Sequence, residues 1–532
     1  VVTVNSTTIT GTAADVKATY DADTAGTIAG LGDEAVTISG ASSAASDLNS
    51  INSDTTGVVT VNSTTITGSA ADVKTAYDAD TAGTIAGLGD EAVTISGASS
   101  AASDLNSINS DTTGVVTVNS TTITGTAADA NTAYAANAAG TIAGLGNEAV
   151  TISDSTLAAS VLNTLNGYTT GVVNAATVTT LTGTAADANT SYAANAAGTI
   201  SGLGNEAVTL SDTTLGATVL NTLNDYTSGA INANSILTIT GAASDIDTMY
   251  DASGISGLGN EAVTLSDTTI TATLMNQVNG HTSGLVNAAT VTTITGNVEN
   301  INAVYASANA SPIEISNLGD EAVTIIDTTL AVAGLNTLDT YTTGVVDASS
   351  VTTLTGAYTA LKTAYDAGTA GTISGLGNEA ITLSDTTLAA ADLNTLNGLT
   401  TGVINAGTVT TLTGVYAALK IAYDADTAGT ISGLGNEAVT VSDTTLAAAD
   451  LNTLNGLTTG VVTATATTIT GSAADVKTAY DADTAGTIAG LGNEAVTITG
   501  ASSAASDLNS INSDTTGVVT VNSTTITGAA AD

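Results

Sequence analysis

The sequence predicts a repeat protein of the solenoid class, mainly β-structure with one short helix in every unit of about 28 residues, as either a β-solenoid-like or an α/β solenoid rod. Three observations predict this class. The phrase Leu-Gly-Asp/Asn-Glu-Ala-Val/Ile-Thr occurs nine times, about 57 residues apart. Each interval divides into two similar halves, and each half joins a β-rich run to a run rich in Ala and Asp. Units this small cannot bury their apolar side chains alone, so we expect them to stack in sequence order.

The array is divided here into repeats of about 57 residues, each ending at Thr-Thr-Gly or Thr-Ser-Gly, and into half-repeats of about 28 residues. We predict a single continuous array over residues 1–532. The first and last copies are the most alike, whereas terminal repeats are usually atypical, so we expect the chain to be a segment of a longer array. The repeats span residues 1–57, 58–114, 115–171, 172–229, 230–284, 285–344, 345–402, 403–460 and 461–517, with a partial copy at 518–532.

The strands are predicted from alternation along the β-rich runs. In the fourth repeat, Val208 and Leu210 point to one face while Thr209 and Ser211 point to the other. Each half-repeat has two such runs beside one helix. Neighbouring strands of a sheet lie about 4.8 Å apart, and packed helices lie about 8–10 Å apart, so two strands take up about the same length as one helix. We therefore expect both strands of a half-repeat to lie in one sheet; the alternative is one strand of each half-repeat per sheet. From the same pattern, Ile9 of the first half-repeat corresponds to Ile38 of the second.

The helices are predicted from an N-terminal capping signal. Thr or Ser, two Ala and then Asp form a capping box with Asp in place of the usual Glu. Behind the first box, Val16 and Tyr20 lie four residues apart and share one helix face, as do Leu48 and Ile51 in the second half-repeat. The boxes span residues 12–15, 69–72, 126–129, 184–187 and 472–475.

Composition limits the partners. Hydrophobic residues make up 43% of the chain, but Phe and Trp are absent, so the predicted core is thin. Forty-nine acidic residues against five Lys give a net charge of −44. This charge repels phosphates and anionic lipids, so we expect no nucleic-acid binding. The sequence has no stretch of about 18 apolar residues, so we expect no membrane insertion. Cys is absent, which fits an extracellular protein without disulfides or a cytosolic one.

The repeated phrase is predicted to form a corner. Gly32 is expected to take a positive φ and Leu31 to anchor the corner in the core. For Glu34 three alternatives are open: its carboxylate accepts N–H groups of the turn, faces water, or belongs to a row of calcium sites. The row contains Glu34, Glu91, Glu148, Glu206, Glu261, Glu321, Glu379, Glu437 and Glu494.

A second candidate for calcium is the Asp-Ala-Asp segment of Asp21 and Asp23, which we expect to be a loop. The third and fourth repeats have Asn137 and Asn195 in this segment, so not every repeat needs it. The same pair of carboxylates recurs at Asp78 and Asp80, Asp424 and Asp426, and Asp481 and Asp483.

Three other residue types are assigned from their positions. Tyr20 and its equivalents occur once per repeat, and we expect each to close the core with its hydroxyl reaching solvent; a sugar-stacking track is the alternative. His281 is expected to stand alone in a surface loop, without a partner for a metal. Rows of Thr, such as Thr8 and Thr10, are typical of parallel strands and also of ice-binding surfaces.

The phrases LNTLNGLTTGVV, TVTTLTGTAAD and GLGNEAVTLSDTTLAA resemble long Thr/Ala/Asn-rich arrays in giant cell-surface proteins of bacteria, especially marine and cyanobacterial ones. The resemblance covers the whole chain and implies an exported adhesive, biofilm or motility-associated role. It offers no catalytic residue to carry over.

Together these observations predict a structural segment of an extracellular fibre, surface filament or adhesin stalk, located outside the cell or on its surface. Its partners would be neighbouring repeats and like chains in a fibre. The alternative is a repeat surface that binds calcium, glycans or ice through stacked Glu/Asp or Thr rows. We expect no enzymatic activity, because nearly every polar residue is one copy in a row and no unlike groups converge.

Overall fold

The computed structural model describes residues 1–529. Eighteen helices and 47 strands alternate along this part of the chain. They form two compact blocks. Block one comprises Val1–Thr264 with His281–Gly284, and block two comprises Leu265–Gly280 with the residues from Leu285 onward.

The helices are α1 Ala13–Thr24, α2 Ala45–Asp54, α3 Ala70–Thr81, α4 Ala102–Asp111, α5 Ala127–Ala139, α6 Ala159–Tyr168, α7 Ala185–Ala197, α8 Ala217–Tyr226, α9 Ala243–Asp251, α10 Ala272–His281, α11 Val298–Ala308, α12 Val332–Tyr341, α13 Tyr358–Ala370, α14 Ala390–Asn397, α15 Tyr416–Ala428, α16 Ala448–Asn455, α17 Ala473–Thr484 and α18 Ala505–Asp514.

The strands up to residue 265 are β1 Val2–Thr3, β2 Thr8–Gly11, β3 Ile28–Ala29, β4 Ala35–Ile38, β5 Ser42–Ala44, β6 Val59–Val61, β7 Thr65–Gly68, β8 Ile85–Ala86, β9 Ala92–Ile95, β10 Ser99–Ala101, β11 Val116–Val118, β12 Thr122–Gly125, β13 Ile142–Ala143, β14 Ala149–Ile152, β15 Thr156–Ala158, β16 Val173–Asn174, β17 Thr180–Gly183, β18 Ile200–Ser201, β19 Ala207–Leu210, β20 Thr214–Gly216, β21 Ile231–Asn232, β22 Thr238–Gly241, β23 Ile255–Ser256 and β24 Ala262–Leu265. The remaining strands are β25 Thr269–Thr271, β26 Val286–Asn287, β27 Thr293–Gly296, β28 Ile315–Ser316, β29 Ala322–Ile325, β30 Thr329–Ala331, β31 Val346–Asp347, β32 Thr353–Gly356, β33 Ile373–Ser374, β34 Ala380–Leu383, β35 Thr387–Ala389, β36 Ile404–Asn405, β37 Thr411–Gly414, β38 Ile431–Ser432, β39 Ala438–Val441, β40 Thr445–Ala447, β41 Val462–Ala464, β42 Thr468–Gly471, β43 Ile488–Ala489, β44 Ala495–Ile498, β45 Ser502–Ala504, β46 Val519–Val521 and β47 Thr525–Thr527.

This element order confirms a solenoid-like α/β repeat fold. The expectation of mainly β-structure is wrong, because the helices of 8–13 residues together contain more of the described residues than the strands of two to four residues. In the second repeat, the first half-repeat supplies β6, β7 and α3, and the second supplies β8, β9, β10 and α4. Parallel sheets follow one another in series. In block one, for example, one sheet has the strand order β5-β7-β9-β11-β13; in block two another has the order β25-β27-β29-β31-β33. Each of these sheets takes one strand from each of five consecutive half-repeats.

The prediction that both strands of a half-repeat share a sheet is wrong. β7 pairs with β5 and β9, whereas β6 pairs with β4 and β8 in a neighbouring sheet. The physical reason is the three-residue connection between β6 and β7, because parallel neighbours need a crossover of about a dozen residues or more. The chain therefore runs from one sheet into the next. It returns to the first sheet only after a helix.

The pairing also corrects the predicted alignment of the two half-repeats. Ile9 lies opposite Val36 and not opposite Ile38. A shift of two residues keeps the same side chains on the core face, since side chains alternate along a strand. The alternation itself is confirmed: Val208 and Leu210 are buried while Thr209 is exposed.

The predicted helix starts are confirmed. The Thr12 hydroxyl accepts the Asp15 N–H at 3.3 Å and donates to the Asp15 carboxylate at 2.8 Å. Val16 and Tyr20 are both buried behind this cap. The same bonds form at Ser69, Thr126, Thr184 and Ser472.

The core lies between the sheets and a layer of side-by-side helices. Val and Ile from the strands and Leu, Ile and Tyr from the helices are buried there. An amide crosses between neighbouring helices: the Asn49 side chain donates to the Asp72 carbonyl at 2.8 Å. The equivalent bond joins Asn163 to Asp187 in block one and Asn336 to Ala360 in block two, both at 2.9 Å. Asn49, Asn163 and Asn336 each follow the first buried Leu of their helix, and each is therefore a structural link to the next half-repeat.

Candidate functional site

The repeated corner is built around a buried carboxylate. Gly32 has φ +139°, which confirms the predicted positive φ. Glu34 is 1% exposed, and its Oε2 accepts the Gly32 N–H at 2.8 Å. This confirms the first of the three alternatives, a carboxylate that accepts turn N–H groups, and shows that the carboxylate does not face water, whereas the row of calcium sites stays a prediction. Leu31, the expected anchor, is only half-buried, so the side chain that anchors the corner is Glu34.

The Tyr found once per repeat completes the corner. The Tyr20 hydroxyl donates to Glu34 Oε2 at 3.2 Å, and Tyr20 is 2% exposed. The expectation that this hydroxyl reaches solvent is therefore wrong, because a buried acceptor lies within its reach. The equivalent pairs are Tyr77 and Glu91, Tyr134 and Glu148, Tyr192 and Glu206, Tyr250 and Glu261, Tyr305 and Glu321, Tyr365 and Glu379, Tyr423 and Glu437, and Tyr480 and Glu494.

The Thr-Thr-Gly or Thr-Ser-Gly phrase at the end of each repeat packs against the same corner. The Thr55 hydroxyl donates to the Glu34 carbonyl at 2.8 Å and accepts the Gly57 N–H at 3.0 Å. A Cβ on Gly57 would overlap the Glu34 backbone. Only a glycine fits this close approach of two backbones. The equivalent glycines are Gly114, Gly171, Gly229, Gly284, Gly344, Gly402, Gly460 and Gly517.

The electrostatics of the corner fit a structural role. Burial pushes the pKa of the Glu34 carboxyl upward, but the turn N–H groups and the Tyr20 hydroxyl outweigh burial and hold that pKa below its ordinary 4.5. Burial also raises the pKa of the Tyr20 hydroxyl, which therefore stays protonated as a donor. An ionised acceptor and a neutral donor form a stable charge-assisted bond.

An open groove flanks the corner and recurs with the repeat. In the third repeat it has a volume of about 320 Å³ and is lined by Asn119, Asn147 and Glu148, among others. In the second repeat the equivalent groove, of about 370 Å³, includes Asp90 and Glu91. Within residues 1–529, four of the corner glutamates have a buried Oε1 that receives no hydrogen bond from the protein. These four are Glu34, Glu206, Glu261 and Glu321.

The Asp-Ala-Asp candidates occupy defined positions. Asp21 and Asp23 lie in the last turn of α1, so the expectation of a loop is wrong. Asp21 pairs with Lys17 at 2.7 Å, and Asp23 accepts the Leu31 N–H at 3.3 Å. The same two contacts are made by Asp78 and Asp80, Asp424 and Asp426, and Asp481 and Asp483.

The second Asp of each pair is a loop acceptor that Asn can replace. Asn137 accepts the Leu145 N–H at 3.1 Å in the same way, which explains the substitution in the third repeat. In the described part of the chain, these candidates and Glu34 do not gather into a set of three metal ligands. Calcium binding by them stays a prediction.

The Thr rows are short. Thr67, Thr94 and Thr117 lie side by side on three paired strands, and all three are half-buried. Ala44 and Ala143 continue the row on either side. The ladder of hydroxyls is thus interrupted within one sheet. Ice binding by such rows stays a prediction.

His281 differs from its predicted setting. It ends a helix, α10, and its Nε2 lies 3.0 Å from Asp247 Oδ1 and 3.8 Å from Asp251 Oδ1. Its ring stacks on Tyr250 with centroids 5.2 Å apart. The expectation of an isolated loop residue is wrong because residues from another helix surround it. The available signal was Asp247 itself, which stands where other repeats have Lys or Asn.

No protein-family model and no curated protein matches this chain. Among residues 1–529, no helix is both long enough and apolar enough to cross a lipid bilayer.

Proposed function

We propose that this chain is a structural segment of an extracellular fibre, surface filament or adhesin stalk. The observation that carries the proposal is the repetition of one buried corner in all nine repeats, with the same Tyr, Glu, Thr and Gly in each. A catalytic site depends on unlike groups that converge in one pocket. A network copied in every repeat instead serves to make every repeat the same shape.

The bonding pattern supports this role. Paired strands and the bridging Asn amides tie each half-repeat to the next within each block. In such an array, stability is a sum of unit and nearest-neighbour terms, so adding repeats adds length without a new core. A structural segment needs this property.

The surface charge supports it too. Each of the five Lys pairs with the Asp four residues further on. The remaining carboxylates leave the surface acidic, which opposes aggregation between long molecules. The paired lysines are Lys17, Lys74, Lys362, Lys420 and Lys477.

The test combines shape and location. We expect electron microscopy of the purified full chain to show elongated particles, and gold-labelled antibodies against it to mark the outside of intact cells of the source organism. Compact globules, or label confined to the cell interior, would refute the proposal.

A second candidate function is calcium binding along the repeats. It is favoured by the recurrent groove, which Glu91 and Glu148 line in two repeats. In four other repeats it is favoured by a buried corner Oε1 that receives no hydrogen bond from the protein. Carboxylate and amide oxygens are ligands that Ca²⁺ prefers. The test is thermal unfolding of the full chain with Ca²⁺ and with a chelator, using Mg²⁺ as the control ion. An unfolding temperature that chelation leaves unchanged would exclude this function.

A further inference from the structure

We propose that Asp247, Asp251 and His281 form a binding site for one divalent transition-metal ion of the zinc class. The site lies in block one and is distinct from the repeated corner. One ligand atom from each side chain lies within 4.8 Å of the others. In the described part of the chain, no other His, Asp or Glu residues form such a group of three or more.

Comparison of the repeats shows that this site arises from two coincident changes. Asp247 occupies a helix position where the other first half-repeats have Lys or Asn. These residues are Lys17, Lys74, Asn131, Asn189, Asn302, Lys362, Lys420 and Lys477. His281 occupies a position that is Tyr in three repeats, namely Tyr168, Tyr226 and Tyr341. Both changes fall in the fifth repeat, and the fold brings them together.

Asp247 and Asp251 give this site an excess of negative charge, which a cation would balance. Elsewhere a Lys such as Lys74 neutralises the Asp four residues later, with an ion pair of 2.6 Å. In the fifth repeat both positions are Asp, and carboxylates four residues apart on a helix repel each other. A metal ion held by both carboxylates and the imidazole would supply the positive charge that Lys supplies in the five repeats with a Lys–Asp pair.

The ligand set selects the kind of ion. Ca²⁺ and Mg²⁺ take oxygen ligands, whereas imidazole nitrogen suits Zn²⁺ and its neighbours. A tetrahedral Zn²⁺ with bonds of about 2.0–2.2 Å holds its ligand atoms about 3.4 Å apart. The Nε2–Oδ1 distances of 3.0 Å and 3.8 Å lie on either side of this value. Three protein ligands leave a fourth position for water.

The imidazole is held in place by the corner of the same repeat. Tyr250 stacks on the His281 ring at 5.2 Å, with the planes 13° apart. The hydroxyl of Tyr250 in turn donates to Glu261 at 3.1 Å. A ligand that is oriented before the ion arrives binds it more tightly. The side chain of Asp251 is 70% exposed, which leaves a route for the ion to enter.

The test uses the presence of a single His in the sequence. In the full chain labelled only at His, the NMR spectrum contains the imidazole signals of His281 alone. We titrate Zn²⁺ in millimolar Ca²⁺ and Mg²⁺, which occupy sites made only of oxygen. We expect the imidazole signals to shift and saturate at one Zn²⁺ per chain, and calorimetry to give the same stoichiometry.

Two variants restore what other repeats contain and are therefore expected to fold. Asp247→Lys recreates the common Lys–Asp pair, and His281→Tyr recreates the stacked Tyr pair seen for Tyr134 and Tyr168. We expect each to weaken the calorimetric Zn²⁺ affinity at least tenfold with an unchanged circular dichroism spectrum. Imidazole signals that do not respond to Zn²⁺ in the wild type, or variants that retain full affinity, would overturn the proposal and leave only an imidazole–carboxylate hydrogen bond.

Discussion

The buried hydrogen bond between Tyr and Glu leads to a quantitative prediction for Tyr134→Phe. In the third repeat, Glu148 accepts the Tyr134 hydroxyl at 3.1 Å and the N–H groups of Gly146 and Asn147 at 2.7 Å and 3.2 Å. Phe keeps the ring and removes one of these three donors. The carboxylate is 2% exposed, so the protein largely shields it from water that could replace the lost donor.

The expected cost follows from the charge on the acceptor. A hydrogen bond to a charged group contributes about 1.5–3 kcal/mol, so the local opening free energy of the corner should fall by about 2 kcal/mol. At 25 °C this corresponds to an approximately 30-fold increase in the population of the open corner. In an array of similar repeats, global unfolding dilutes the loss from one corner, so the effect must be measured locally.

The assay is hydrogen exchange of the full chain, read by mass spectrometry on peptides that cover residues 145–151. Exchange of amides protected by the corner should accelerate about 30-fold in Tyr134→Phe. The control is Tyr168→Phe, because Tyr168 stacks on Tyr134 at 5.9 Å but is 38% exposed. Unchanged exchange in Tyr134→Phe, or equal acceleration in both variants, would refute a stabilising role for the buried hydroxyl.

Three further predictions concern packing, capping and pH. Gly171→Ala should destabilise the third repeat by about 3 kcal/mol or more, because the new Cβ would overlap the Glu148 backbone. The control is Gly167→Ala, whose Cβ meets no described atom within 4 Å and which should change hydrogen exchange little. Ser69→Ala should lower the stability of α3 by about 1 kcal/mol, because the Asp72 N–H loses the hydroxyl that caps it. Hydrogen exchange at the start of α3 should therefore speed up, and unchanged protection there would contradict a capping role for Ser69. Burial raises the pKa of the repeated Tyr above its ordinary 10.0, so the unfolded chain ionises at a lower pH than the folded chain. Thermal stability should therefore be flat from neutral pH to about pH 10 and fall above it. A melting temperature that stays flat above pH 10 would count against burial of these hydroxyls.

Several features of the fold could be predicted because they depend on neighbouring residues. The cap at Thr12 needs only Asp15 three residues later, and the burial of Val16 and Tyr20 follows from the helical period. The positive φ of Gly32 follows from the corner phrase. Each of these features is local, so the pattern of a single half-repeat was sufficient.

The candidate site was less predictable because its contacts cross between segments. Tyr20 and Glu34 were each recognised as once-per-repeat residues, but their contact was not. His281 was assigned to an isolated loop because Asp247 is 34 residues away in the sequence. Distance along the chain does not indicate which side chains are in contact. The repeat pattern indicates only that a contact made in one repeat recurs in the others.

The segment between the repeated Tyr and Glu varies in length, but the hydrogen bond between the two side chains does not depend on that length. The Tyr–Glu bond spans 14 residues in most repeats, 11 between Tyr250 and Glu261, and 16 between Tyr305 and Glu321, yet it forms every time. Residue order thus specified the repeats, the helix caps, the alternating strands and the acidic surface. Only the folded chain showed which strands share a sheet, that Glu34 is buried, and that Asp247 and Asp251 lie beside His281. Crossover length decides which strands can pair, and the space in the core decides which side chains meet.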